Sequence, residues 1–163
     1  MSAGRQFTSH LAKTFLAASD LSAAAKRYTF MKKTTANYTA DTCGANERPI
    51  GVMTVPGAAD KGITVALVGG GGSVVLKAGA AITAGNRLKS DSTGRAVPAT
   101  GGDSHYAVAL ETVSNADEYV EALLVSGTGV AVSPSASKSP SASKSPSASP
   151  SPSKSPSASA SPS

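Results

Sequence analysis

Residues 77–97 decide the fold class, and they read KAGAAITAGNRLKSDSTGRAV. Small residues and turn formers surround two large apolar anchors, Ile82 and Leu88. Gly85 and Gly94 stand where short strands would have to reverse direction, and glycine adopts the positive φ of tight turns without steric cost. The stretch therefore predicts compact β-structure in which these residues have a scaffold role.

A β-hairpin is predicted inside this stretch. Residues 87–89 and 95–97 are short strand-like runs, and Ser-Asp-Ser-Thr-Gly lies between them. The carboxylate of Asp91 can accept hydrogen bonds from backbone groups that follow it, as in an Asx turn, and Gly94 can take positive φ. We expect Asp91 and Gly94 to build the turn, with Leu88 as the anchor of the first strand.

Further strands are predicted on both sides of the hairpin. They are rich in β-branched and aromatic residues, and Gly, Pro, Asp and Asn bound them. The predicted strands are residues 27–32, 49–52, 63–68, 73–77, 106–111 and 119–125. Short strands at this spacing, about seven to nine in all, indicate a mainly β fold that forms a compact small β-barrel or β-sandwich.

The N-terminal segment is predicted to be a basic arm that contains a short helix. Leu11, Phe15 and Ala18 recur at helical spacing, and the alanine content favours a helix. The helix is placed at residues 10–18, and the arm comprises residues 1–26.

Residues 133–163 form a low-complexity tail. Every odd position is Ser, and the even positions hold seven Pro, five Ala and three Lys. Such a segment lacks the apolar side chains that would offset its ordering entropy, so the β domain is predicted over residues 27–132. Two interpretations of the tail stay open. It is either a disordered, solvated extension or an exposed polyproline-II stalk that touches anionic host or environmental polymers.

Charge is distributed unevenly along the chain, whose formal net charge is +5. Residues 1–40 carry six Lys or Arg and one acid. Residues 41–132 carry six Lys or Arg and nine acids, and the tail adds three Lys. The chain has four Tyr, three Phe and no Trp. Because single-strand binders combine basic grooves with aromatic platforms on the folded body, no specific nucleic-acid partner is expected.

The sequence offers no convergent chemical site, so the expected protein is not an enzyme and binds no cofactor or metal. Cys43 is the single cysteine, and His10 and His105 are far apart. Gly69–Gly72 leads into Ser-Val-Val-Leu-Lys, whereas a phosphate-binding loop needs Gly-Lys-Ser/Thr before a helix, so a hairpin loop is predicted there. No membrane span or signal peptide is expected, which fits synthesis in a reducing cytoplasm.

Short motifs across residues 18–126 resemble the small phage head proteins that act as capsid cement or decoration proteins. Members of this group are sometimes labelled recombinase-like, an activity that the missing Gly-Lys-Ser/Thr loop argues against. The Ile-x-Ala-Gly segment also resembles β-clip modules. The motifs are Asp20–Ser22, Tyr28–Lys33, Pro49–Val52, Ala80–Gly85, Leu88–Asp91, Gly94–Val97, Ala107–Glu111 and Leu123–Val125.

This resemblance implies a structural virion protein on the outer surface of an assembled capsid. Such a protein bridges major capsid subunits, commonly as a homotrimer, and stabilises the shell because it binds only the assembled form. The expected capsid contacts lie in the basic arm: Arg5, Phe7, Leu11, Lys13, Phe15, Lys26 and Arg27. The alternative is a head-fibre, tail-fibre or host-surface adhesion protein whose Ser-Pro tail is the working part.

Overall fold

The computed structural model describes residues 11–126. Within this range, ten strands and one short 3₁₀ helix form two β layers, which confirms the mainly β fold expected from the sequence. In chain order the elements are β1 (Ala12–Ala17), the 3₁₀ helix (Ala24–Lys26), β2 (Phe30–Lys33), β3 (Thr39–Thr42), β4 (Gly51–Val55), β5 (Gly62–Leu67), β6 (Ser73–Lys77), β7 (Arg87–Ser90), β8 (Ala96–Pro98), β9 (Ala107–Ala109) and β10 (Tyr119–Leu124).

The first layer is a closed barrel with the strand order β1-β3-β2-β4-β5. Its first strand corrects the helix predicted over residues 10–18. β1 pairs antiparallel with β5, with Phe15 opposite Ile63, and parallel with β3, with Leu16 opposite Thr39. Pairing on both sides outweighs alanine's helix propensity, since β1 closes the barrel.

Three barrel strands, β2, β4 and β5, bury side chains on both faces. Met31, Met53 and Val65 point into the barrel, where they form one core cluster. Their neighbours Phe30 and Val52 point outward and belong to a second cluster shared with the other sheet. These strands therefore lack the clean apolar-polar alternation of a strand with one solvated face.

The second layer is a five-stranded sheet with the order β6-β10-β9-β7-β8. It contains the predicted hairpin, in which Lys89 of β7 faces Val97 of β8. Ile82 and Leu88 are fully or almost fully buried in the cluster between the layers, as expected of anchors.

Two local predictions fail. Gly69–Gly72 does not close a hairpin, because the strands on either side of it, β5 and β6, belong to different sheets. Strand β3 was not predicted, because its short sequence Thr-Ala-Asp-Thr is mostly polar. Its pairing partners β1 and β2 hold it in the barrel, so tertiary contacts override its weak strand propensity.

Backbone hydrogen bonds join the barrel to the sheet beside the apolar layer. Phe30 of β2 donates its N–H to the carbonyl of Gly94 at 2.7 Å, and Lys77 of β6 donates to the carbonyl of Tyr28 at 2.8 Å. The predicted turn at Gly94 therefore also acts as a docking point between the layers. No helix within residues 11–126 is long and apolar enough to cross a membrane.

Candidate docking surface

The structure separates the predicted capsid-contact residues. Arg5 and Phe7 lie outside the described residues. Leu11 is 61% exposed just before β1. The Lys13 ammonium lies 4.9 Å from the centre of the Tyr38 ring, which is itself exposed.

Phe15 corrects the sequence-based assignment of contact residues. Its side chain is only 8% exposed and belongs to the cluster inside the barrel. Because the strand alternates its faces, Phe15 and Ala17 point inward while Leu16 stays exposed. Phe15 is therefore a core residue of the barrel.

Lys26 and Arg27 are brought together with residues from distant parts of the chain. Lys26 is the last residue of the 3₁₀ helix and Arg27 follows it, at the place where Lys77 of β6 in the other sheet donates to the carbonyls of Ala25 and Tyr28. We call this region the seam surface. It consists of Lys26, Arg27, Tyr28, Lys77, Arg95, Asp117 and Tyr119.

Tyr28 is held in an unusual conformation at the centre of the seam surface. Its φ is +64°, a value that costs a bulky residue free energy unless neighbouring structure enforces it. The Tyr28 N–H donates to the carbonyl of Met53 at 2.9 Å, and its carbonyl accepts from Lys77. The ring packs edge-to-face on Tyr119 with centroids 5.6 Å apart, and the Arg27 guanidinium lies 4.7 Å from its centre. Both tyrosine rings are thus fixed in place.

A carboxylate links the two cations beside these rings. Asp117 accepts from Lys77 Nζ at 3.1 Å and from Arg95 Nη1 at 3.4 Å. The hydrogen bond from Lys77, followed by the charge of Lys77, lowers the pKa of Asp117 below its usual value. Asp117 itself is well exposed, whereas the Lys77 side chain is only 13% exposed. The Lys77 charge therefore acts in a partly desolvated setting, where its interactions are stronger than at the open surface.

Lys77, Arg95 and Asp117 of this network line a cleft of about 430 Å³, which we call the seam cleft. Lys26, Lys77, Arg95 and Thr42 contribute to its walls. Among the side-chain oxygens and nitrogens of residues 11–126, Thr42 Oγ1 is the one that is buried without a hydrogen-bond partner. Lys26 Nζ donates to the backbone carbonyl of Asp20 at 3.1 Å.

The turn at Asp91 orients one wall of the seam cleft. Asp91 Oδ1 accepts from the backbone N–H groups of Thr93 at 2.8 Å and Arg95 at 2.9 Å, and Oδ2 accepts from Arg95 Nε at 2.9 Å. Burial alone would raise the pKa of Asp91, but these hydrogen bonds lower it below its usual value. The Asx turn predicted from sequence is confirmed, and it also aims Arg95 at the seam.

The scaffold glycines take the predicted backbone conformation. Gly85 and Gly94 have φ values of +86° and +82°. A Cβ on Gly94 would lie 2.8 Å from Thr42 Cγ2 and 3.0 Å from the Phe30 carbonyl oxygen, while a Cβ on Gly85 would meet nothing within 4 Å. Gly94 is therefore required by its neighbours as well as by its φ.

The described residues hold no cluster of three or more His, Cys, Asp or Glu side chains that could bind a metal ion. Cys43 is buried as a free thiol. Desolvation raises the pKa of its thiol to about 11, so the nucleophilic thiolate is suppressed at neutral pH.

Lys26 and Arg27 are the residues of the seam surface that were predicted from the sequence as contacts, and the other five were not. Tyr28 falls inside the strand predicted over residues 27–32, and Tyr119 is far from it in the chain. Only the docking of β6 on the loop before β2 brings the two rings together. The one local clue was the adjacent basic and aromatic pair Arg27-Tyr28.

No known protein family matches the chain, and no curated protein matches it. The fold is similar to a solved structure described as "The crystal structure of head fiber gp8.5 N base in bacteriophage phi29". The two chains superpose with a TM-score of 0.54 at 16% sequence identity, over 71% of this chain and 94% of that one. At this identity, the similarity shows that the chain has the fold of that fibre base.

Proposed function

We propose that this chain is a non-enzymatic structural protein of a phage head. The observation that carries the proposal is the fold shared with a head-fibre base across 94% of that chain. The fold alone does not specify a function, so the sequence motifs that resemble capsid cement proteins supply the second, independent support.

In this proposal the β body binds the outer surface of the assembled capsid and bridges major capsid subunits. A protein that binds only the assembled shell stabilises the shell by mass action, and each occupied site on the capsid adds to this stabilisation. A homotrimer on the capsid is part of the same proposal. The seam surface is the proposed contact, because exposed tyrosine and arginine beside partly buried charge are typical of binding hot spots.

A second candidate is a head fibre, in which the body serves as a base and the tail is displayed. The solved relative is described as the N base of a head fiber, and in this chain the Ser-Pro tail follows the body. In the fibre candidate, contact with host or environmental polymers requires residues 133–163. In the cement candidate, the tail is dispensable for shell stabilisation.

Co-sedimentation with undecorated capsids tests both candidates. We expect saturable binding of the full chain, unchanged on removal of residues 133–163, and an increase in the temperature at which the capsids release DNA. Absence of saturable binding would refute the cement function. Binding to host cells that is lost with the tail would establish the fibre candidate.

The contribution of the N-terminal arm is tested by deleting residues 1–10 only. A longer deletion through residue 18 would remove β1 and open the barrel, so a loss of binding would then report unfolding. If Arg5 and Phe7 contact the capsid, the short deletion weakens co-sedimentation while circular dichroism and the melting temperature stay unchanged. Unchanged binding would leave Leu11, Lys13, Lys26 and Arg27 as the remaining predicted contacts.

A further inference from the structure

We propose that residues 127–132 dock in a groove on their own chain, with Val130 and Val132 as the two anchors. The groove has a volume of about 460 Å³, and we call it the junction groove. Such docking goes beyond the proposed function and does not depend on it. The lining residues that carry the proposal are Arg48, Ile50, Leu67, Val68, Tyr106 and Ser126.

The walls of the junction groove come from both layers. Ile50 directly precedes β4 and Leu67 ends β5, and both of these strands belong to the barrel. Tyr106 directly precedes β9, and Ser126 lies two residues after β10, both strands of the other sheet. A segment that fills the groove therefore contacts the barrel and the sheet together.

Four apolar residues of the groove remain half-buried: Ile50, Leu67, Val68 and Tyr106. Ile50 and Leu67 pack against the cluster inside the barrel, and Val68 and Tyr106 pack against the cluster shared by the two layers. An apolar side chain that enters the groove extends both clusters. The free energy that it gains grows with the apolar area removed from water.

The last described residue belongs to this groove. Ser126 lines it, and the N–H of the preceding Val125 donates to the carbonyl of Tyr106 at 3.0 Å. Val130 is four positions beyond Ser126. Four extended residues span at most about 14 Å, so Val130 stays within that distance of the groove wall. A segment tethered this closely has a high effective concentration at the groove.

The sequence of the segment, Gly-Thr-Gly-Val-Ala-Val, suits an apolar groove. In extended backbone, residues two apart point to the same side, so Val130 and Val132 share one face and Ala131 takes the other. Residues 133–163 contain only Ser, Pro, Ala and Lys. The two valines are therefore the last large aliphatic side chains along this sequence, and they directly follow two glycines that allow the backbone to turn back.

The competing occupant is Phe7 of the N-terminal arm, because the arm also starts beside the groove. The Leu67 N–H donates to the carbonyl of Leu11 at 2.8 Å. Arg48 is the charged residue of the groove lining, and the arm brings Arg5, whereas residues 127–132 carry no charge. Since like charges repel, the uncharged segment is the favoured occupant.

NMR of the full chain with labelled valine methyl groups tests the docking directly. We expect nuclear Overhauser contacts from the methyl groups of Val130 and Val132 to the ring of Tyr106. Contacts from Phe7 to that ring, with none from the two valines, would make the arm the occupant and overturn the proposal. In a mixture of labelled and unlabelled chains, contacts between different chains would assign the groove to a second copy and also overturn it.

A double variant, Val130→Ser with Val132→Ser, measures what the docking contributes. It should lower the melting temperature by about 4 °C, because two valine side chains leave the groove for water. Amide exchange should become faster at Val68 and Val125, whose N–H groups donate to Ile50 and Tyr106 beside the groove. The matched control is Ala131→Ser, which lies on the opposite face and should change neither quantity. A double variant that keeps the wild-type melting temperature and amide exchange would overturn the proposal.

Discussion

The closed barrel and the five-stranded sheet bury apolar surface by different means. The barrel encloses large side chains of its own: Phe15, Leu21, Met31, Met53, Ile63 and Val65. The sheet side of the shared cluster has five alanines, Ala78, Ala96, Ala107, Ala109 and Ala122, and six larger apolar residues, Val74, Leu76, Ile82, Leu88, Val120 and Leu124. The barrel's outer face supplies the other side of this cluster, with Phe30, Cys43, Val52 and Ala66.

The two layers therefore differ in how far each depends on the other for its core. The apolar core of the sheet lies in this shared cluster, whereas the barrel has a second cluster in its own interior. Phe30 supplies the largest side chain in the shared cluster. We infer that the barrel has a core sufficient for itself, whereas the sheet depends on the barrel.

The largest expected effect comes from removing the shared phenylalanine. Phe30→Ala should lower the free energy of unfolding by about 3–5 kcal/mol, the range for truncating a buried phenylalanine. Amide hydrogen exchange should show lost protection in both layers. Phe15→Ala is the matched variant, and it should reduce protection mainly in the barrel strands. If β7 and β10 keep wild-type amide protection in Phe30→Ala, the sheet does not depend on the barrel for its stability.

The next effect concerns the two turn glycines of the sheet. Gly94→Ala places a Cβ 3.0 Å from the Phe30 carbonyl oxygen, in backbone that cannot move without disturbing β2. Positive φ and overpacking together should cost about 2–5 kcal/mol. Gly85→Ala has the same φ problem but open space around the new methyl group, so about 1–2 kcal/mol is expected.

Chemical denaturation measures the loss of unfolding free energy in each of the two glycine variants. If Gly94→Ala and Gly85→Ala lose similar amounts of unfolding free energy, the positive φ alone accounts for the loss. The Gly94 turn would then not be a docking point between sheet and barrel.

The smallest expected effect is a difference in acid sensitivity between the layers. In the sheet, the hydrogen bond from Lys89 and those from Thr100 lower the pKa of Asp103 to about 2. In the barrel, the hydrogen bond from Lys32 lowers the pKa of Glu47 below its usual value. Both pKa values are depressed on folding, so each pair stabilises the protein above the unfolded pKa, 3.8 or 4.5 respectively. The stabilisation is lost as the pH falls through the folded pKa.

Carbon-detected NMR titration of the carboxyl groups measures this difference. Asp103 should remain charged until the pH approaches about 2. Asp103→Asn should flatten the stability curve between pH 3.8 and about 2, and Glu47→Gln should flatten it from pH 4.5 downward. An Asp103 that titrates at its usual value would show that the Lys89 pair does not hold in solution.

Local chemistry made several features predictable. The Asp91 turn and Gly94 followed from side chains that bond their own backbone and from a residue that tolerates positive φ. Leu88 was recognised as an anchor because it is a large apolar residue among small ones. β1 was mistaken for a helix because its strand partners β3 and β5 are distant in the chain.

The β class, the hairpin turn and the compositional break at the Ser-Pro tail follow from the sequence alone, because each depends on neighbouring residues. Three features emerge only in the folded chain: β1 closes a barrel, Phe30 packs into the core of the other sheet, and the Tyr28 ring contacts Tyr119. These outcomes depend on contacts between residues far apart in the chain. The free energy of such contacts comes from burial and pairing, which no local pattern encodes.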